Sequence, residues 1–283
     1  MRITSFLAAI LLTLLSGPLV AKWDQESRAS DLLSRIQMRV EHLPLVASEA
    51  ADGNPDAFGV LKQSRDEIEG MLQRLKHGDP RNGMSGYADQ DSFKNDLASL
   101  DATWTKLNAR VATLLEAKQQ IIAAKATADE FAAKLAVLNT HTEESVKILL
   151  DSDGSKNQLY IAMRQMLVAD RMGRRLQSII LGGEEAETAT AGLQRDALYY
   201  GAMLAGLVQG NANLNIKAVT NANARAILMD INQQWTTAVA PLANNLLETG
   251  PIVQSARNAA DEITIDSQTF VLKADPLSRR LHD

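Results

Sequence analysis

The sequence predicts an all-α protein, an elongated rod of two stacked four-helix-bundle modules (a helical bimodular fold) with two long helices spanning both. Three observations carry this expectation. The composition is 46% hydrophobic but only 4% aromatic, with seven prolines in 283 residues, which favours long helices over a sheet. A seam of apolar residues runs at alternating spacings of four and three through Phe93, Leu97, Leu100, Trp104, Leu107, Val111 and Leu114, the spacing of helices that pack on one another. And the chain repeats itself: "LLEAKQQIIAAKATADE" (114–130) aligns with "LLETGPIVQSARNAADE" (246–262), and "TWTKL" (103–107) with "QWTTA" (234–238) after a one-residue shift.

Punctuation between apolar runs sets the elements. A first helix is expected from about Asp24 to Asp52, kinked at Pro44, and a second from Pro55 to His77, followed by the loop "GDPRNGMSGYADQ". No proline or glycine interrupts 91–152, so one helix of roughly 60 residues, about 90 Å long, is expected there. Its seam lapses where Lys118 and Lys125 take expected core positions, giving a polar waist, and resumes at Ala128, Phe131, Leu135, Leu138, Thr142, Val146 and Leu149. Two shorter helices follow at about 155–181 and 184–208, separated by Gly182-Gly183. After the loop "QGNANLNIKAV", a long last helix runs from about Thr220 to Ala274, with a bend or break near Pro241 and Gly250-Pro251. The expected lower module is 24–118 plus 250–276, and the upper module is 119–249.

The first 21 residues have the layout of a secretory signal peptide. Arg2 precedes an apolar run from Phe6 to Leu15, Ser16-Gly17-Pro18 follows, and Ala21 offers a small residue before a cut near Lys22. Leu19 is large for its place before that cut, so an uncleaved N-terminal anchor stays open. Either way the remainder, 22–283, is expected on the periplasmic side, as a tandem helical domain. The net charge of −5, with both signs mixed along the chain, argues against nucleic acid as partner. Without cysteine there is neither a disulfide framework nor a thiolate site.

Chemistry-bearing patterns are sparse. His42, His77, His141 and His282 share no helical face and no metal-ligand spacing, so no metal site is expected. No glycine-rich phosphate loop, nucleophile elbow or pair of core-facing carboxylates appears, so neither catalytic residues nor a cofactor is expected. Trp104 and Trp235 occupy matching places in the two repeat copies and read as core residues. One stretch stands out. "RQMLVADRMGRR" (164–175) sets Arg164, Arg171, Arg174 and Arg175 on an otherwise core-forming helix. Arg164 and Arg171 are seven residues apart, about 10 Å along one stripe. Such arginines need anions: either Asp or Glu of neighbouring helices, fixing register, or a bound anionic ligand. The expected geometry turns Arg164 and Arg171 into the upper module with Gln165 in support, and lets Arg174 and Arg175 reach water through long stems. The asparagines at the far loop, Asn211, Asn213, Asn215 and Asn221, are either turn formers or a partner-contact tip.

Three stretches, "RQMLVADRM" (164–172), "RDALYYGAMLAGLVQGNANLNIKAVTNANA" (195–224) and "SQTFVLKA" (267–274), resemble the periplasmic sensing domain of the type IV pilus methyl-accepting chemotaxis transducers, the PilJ family. The likeness covers roughly 57–275. Arg164, Gln165, Leu167, Arg171 and Met172 match the family's R-Q-x-x-L-x-x-R-M/I box, which is related to the anion-sensing helix of nitrate/nitrite sensor kinases. The equivalent region of the first repeat, "RIQMRVEHLPL" (35–45), is degraded. The resemblance implies a non-enzymatic sensory or recognition module for pilin contact or a small ligand. Its implied partners are a pilin, a membrane receptor or chemotaxis protein, a small anion, or a second copy in a homodimer. The residues to Asp283 include no HAMP linker or methylated hairpin, so the expectation is either a free-standing exported homologue, acting through a separate membrane partner or on pilins directly, or a truncated receptor. A structural helical-bundle protein without ligand is the alternative.

Overall fold

The computed structural model describes residues 4–152 and 155–282, with side chains described from 25 to 152 and from 155 to 281. The protein is all-α. Its elements are α1 (Thr4–Ala51), α2 (Pro55–His77), α3 (Asp91–Glu116), α4 (Lys118–Asp151), α5 (Lys156–Leu181), α6 (Glu185–Gln209), α7 (Ala222–Gln234) and α8 (Ala240–His282). The expected leader, residues 1–21, lies outside the residues whose side chains are described. Among the described residues, no helix is long and apolar enough to cross a membrane.

The chain divides into two compact units. Unit 1 holds residues 1–50, 55–116 and 259–283; unit 2 holds 51–54 and 117–258. In unit 1 the α3 seam is buried at every position from Phe93 to Leu114, and Trp104 meets Phe270 of α8 edge-on at 6.5 Å. Burying side chains of this size stabilises by about 1.5–3 kcal/mol each. Arg110 of α3 pairs with Glu262 of α8 at 2.7 Å, and Arg39 of α1 with Glu67 of α2 at 2.6 Å. The loop after α2 holds a short antiparallel pair that the sequence reading missed, β1 (Gly78–Asp79) with β2 (Met84–Ser85). Gly78, at φ +88°, begins it, because a side chain there would meet the Met84 carbonyl.

Unit 2 is a ring of helices: α5 lies between α4 and α6, and α7 closes against α4 and α6. Its core runs from Ala128 and Phe131 through Met172, Leu193 and Tyr200 to Trp235 and Leu246. Ser155 opens α5 with a capping box, its hydroxyl accepting from the Gln158 amide while the Gln158 side chain accepts from the Ser155 amide. Arg257 ties in the short 51–54 segment by donating to the Ile180 carbonyl (2.9 Å) and pairing with Asp52.

Three sequence expectations need correction. The helix expected over 91–152 is interrupted at Ala117, a single non-helical residue (φ −82°, ψ 0°) between α3 and α4. The seam there is not polar: Ile121 and Ala124 are buried, so the stripe takes two successive steps of three and leaves Lys118 and Lys125 off it. Of the two places named for a break in the last long helix, Gly250-Pro251 lies within α8, and the interruption falls just before Pro241, as a π turn over Trp235–Val239. Pro241 explains its place. It has no N–H to donate and its ring crowds the carbonyl four residues back, Thr237, so one extra residue is taken up and the Ala240 amide bonds to the Trp235 carbonyl.

Candidate functional site

The arginine box lies on α5, whose buried stripe is Gln158, Ile161, Ala162, Gln165, Val168, Ala169, Met172, Leu176 and Ile179. That stripe fixes which members of the box can face the core. Gln165 and Met172 are fully buried, whereas Leu167 is 67% exposed. Arg164 sits on the outer side of the helix, which corrects the expected inward pair. It donates to the Tyr160 hydroxyl at 2.7 Å, and its guanidinium lies 5.3 Å from the Tyr199 ring centre. Cation–π contacts at exposed positions contribute about 0.5–1 kcal/mol.

Arg171 meets an internal anion. Its Nε and Nη2 donate to the two carboxylate oxygens of Asp196 on α6 at 2.7 and 2.5 Å, the two-point geometry that a planar guanidinium makes with a carboxylate. Arg175, expected to reach water, also turns to this acid, donating from Nε at 2.7 Å. Gly192 makes that possible: any side chain there would collide with the Arg175 guanidinium. The Asp196 side chain is 4% exposed and that of Arg171 45%, so a buried carboxylate is shared by two arginines at its edge. The hydrogen bonds to Asp196 raise the Arg171 pKa above its ordinary value.

Asp196 was the residue that sequence reasoning left unassigned, though a signal for it exists. Ala189, Leu193, Asp196, Tyr200, Met203 and Leu207 form the buried four–three stripe of α6, and a single carboxylate in such a stripe requires a cation. On α5, Gln165 buries its amide without a hydrogen-bond partner among the described residues. Tyr200 buries its hydroxyl close to the Thr142 side chain. Burial pushes the Tyr200 pKa up to about 12.

The asparagine loop is held from within. Asn211 and Ile216 exchange backbone hydrogen bonds at 2.8 Å, and the Asn211 side chain accepts from the Leu214 amide. Asn215 adopts φ +53°, a conformation that asparagine tolerates, and its carbonyl accepts from Asn157 of α5. Asn221 caps α7 by accepting from the amides of Asn223 and Ala224. Asn213 is exposed. Gln158 donates to the carbonyls of Lys217 and Ala218, so the loop is tied to the start of α5. Among the described residues, no group of three or more His, Asp or Glu side chains is placed to hold a metal.

No family model matches the chain. It is similar to AlkN of Alcanivorax borkumensis, whose name marks it as a methyl-accepting chemotaxis protein, at 26% identity over 98% of this chain and 40% of that protein. It is similar to the protein PilJ of Pseudomonas aeruginosa at 30% identity over 82% of this chain and 34% of PilJ. The chain thus spans well under half the length of these curated relatives. Over most of its length it is a PilJ-like domain.

Proposed function

We propose that this chain is an exported, non-enzymatic sensory or recognition domain that serves type IV pilus or chemotaxis signalling. It would face the periplasm, free or held at the inner membrane by its N-terminus, and report contact with a pilin or a small anionic ligand to a membrane partner. A pair of such chains could form the reporting unit. The observation that carries this reading is the match to AlkN across nearly the whole chain, together with the match to PilJ over 82% of it. The helical fold and the absence of acid–base or nucleophile motifs accord with recognition rather than turnover.

A second reading, a structural bundle that binds no ligand at the arginine box, draws on the Asp196 pair. Arg171 and Arg175 already share an internal carboxylate, and Arg164 already lies over tyrosine rings. The test is in two parts. Surface-immobilised full-length chain is exposed to purified type IV pilin, and the gene is deleted in its host with twitching and chemotaxis scored. Saturable pilin binding and altered motility are expected. Absence of both overturns the sensory reading.

A further inference from the structure

Two arginines without a carboxylate partner among the described residues share a groove in unit 1, in the region where the first repeat seemed to have lost its box. An open groove of about 570 Å³ is lined by Arg35, Met38, Arg39 and His42 of α1 and Glu67, Met71 and Arg74 of α2. This is the size range of small-molecule pockets. Arg35, Arg39 and His42 recur at helical spacing, so one face of α1 presents them together. Glu67 is the one carboxylate of the lining, and it is taken by Arg39 at 2.6 Å. Among the described residues, neither Arg35 nor Arg74 has a carboxylate within ion-pair reach. Arg74 spends its Nε on the Gly70 carbonyl, and Asp79 acts on it only from a distance. The groove therefore holds two guanidinium groups in excess, with the His42 imidazole beside them as a hydrogen-bonding group. Met38, 68% exposed, and the buried Met71 supply a deformable apolar wall beside the charges.

We infer that this groove binds a small organic polycarboxylate, with Arg35 and Arg74 taking its carboxylates and the two methionines covering its carbon skeleton. Guanidinium pairs match carboxylate oxygens at two points, and the apolar wall favours an anion with a hydrocarbon backbone over a bare inorganic ion. The proposal rests on the sensory reading above and gives it a ligand class. It also moves the site away from the α5 box, whose Arg171 and Arg175 both spend hydrogen bonds on the buried Asp196.

Citrate and inorganic phosphate serve as probes, titrated calorimetrically into the full-length chain at low salt, with helicity checked by circular dichroism. Citrate is expected to bind saturably and at least ten-fold tighter than phosphate. Arg35→Ala and Arg74→Ala should each weaken citrate at least ten-fold, and Arg164→Ala should leave it unchanged. Absence of saturable citrate binding by folded protein overturns the proposal, as does equal affinity for phosphate. So does a loss confined to Arg164→Ala. Pilin binding measured on the same preparation reports on the sensory reading separately, so the two can fail independently.

Discussion

The stretch "SRDEIEGMLQRLKHGD" (64–79) of unit 1 resembles "QRDALYYGAMLAGLVQGN" (194–211) of unit 2 with a small insertion, so Arg65-Asp66 and Arg195-Asp196 are the same dipeptide in two repeat copies, set in opposite surroundings. Asp66 is on the surface, paired with Lys62 at 2.8 Å and its neighbour Arg65 at 2.7 Å, and those partners, Lys62 first, hold its carboxyl below the ordinary range. Asp196 is buried and takes arginines from another helix. The phase of the buried stripe makes the difference. In α2 the stripe passes through Leu61, Ser64, Ile68 and Met71 and leaves Asp66 outside, whereas in α6 it passes through Asp196 itself. A matching motif transmits its residues, and the helix phase decides what they do. The tryptophans teach the same lesson. Trp104 donates from Nε1 to Glu69 at 2.5 Å, and Trp235 lies against the Tyr200 ring at 4.5 Å. Glu69 and Tyr200 each precede a glycine, Gly70 four residues after Asp66 and Gly201 five after Asp196, so across a one-residue insertion a polar contact in one unit answers an aromatic one in the other.

The largest way to break this comparison is to remove the tryptophans. Trp104→Ala and Trp235→Ala should each cost about 3–5 kcal/mol, read by urea unfolding with separate probes in each unit. Loss in only one unit would mean that the two positions are not equivalent anchors. The glycines sharpen it. A Cβ on Gly201 would stand 2.8 Å from the Trp235 indole nitrogen, while one on Gly70 has nothing nearer than 3.9 Å. Gly201→Ala should therefore destabilise by about 1–3 kcal/mol through overpacking. Gly70→Ala should stabilise by up to about 1 kcal/mol through helix propensity. Thermal melts that reverse this order would contradict the packing described.

Tyr200 gives the smallest effect, visible only in alkali. The free phenol titrates near 10, and burial raises the folded value to about 12, so the folded chain retains a proton that the unfolded chain loses. Stability from this group is fully present below about pH 10 and declines as pH rises toward 12. Tyr200→Phe should flatten that decline, as followed by unfolding at stepped pH. An unchanged slope would remove Tyr200 as its source.

Much of this was legible in the sequence because helices announce themselves by period. The seams at 93–114 and 128–149 gave α3 and α4, and Gly182-Gly183 separated α5 from α6. The interruptions were harder to see. Ala117 is a good helix former, and nothing local marks it as the residue where the stripe changes step. Pro241 and Pro251 carry the same steric conflict, yet only the first coincides with a π turn, which depends on what packs around it. At the site, the box itself was visible, but its inside and outside were not: Gln165 turns inward and Arg164 outward because of one helical phase. Asp196 was readable as a charge in an apolar stripe once the register of α6 was known. The unit 1 groove was only half marked: Arg35, Arg39 and His42 recur on α1, but Arg74 joins them from α2.

Equivalent residues of the two repeats act according to burial, and Asp196 holds Arg171 and Arg175 of the arginine box. Paired thermal melts of Asp196→Ala and Asp66→Ala test it most directly. The first leaves Arg171 and Arg175 without their shared carboxylate and should cost about 2–4 kcal/mol, allowing for the partial exposure of Arg171. The second removes only surface pairs and should stay within about 0.5 kcal/mol. Equal effects from the two substitutions, or a gain in stability from Asp196→Ala, would contradict the account.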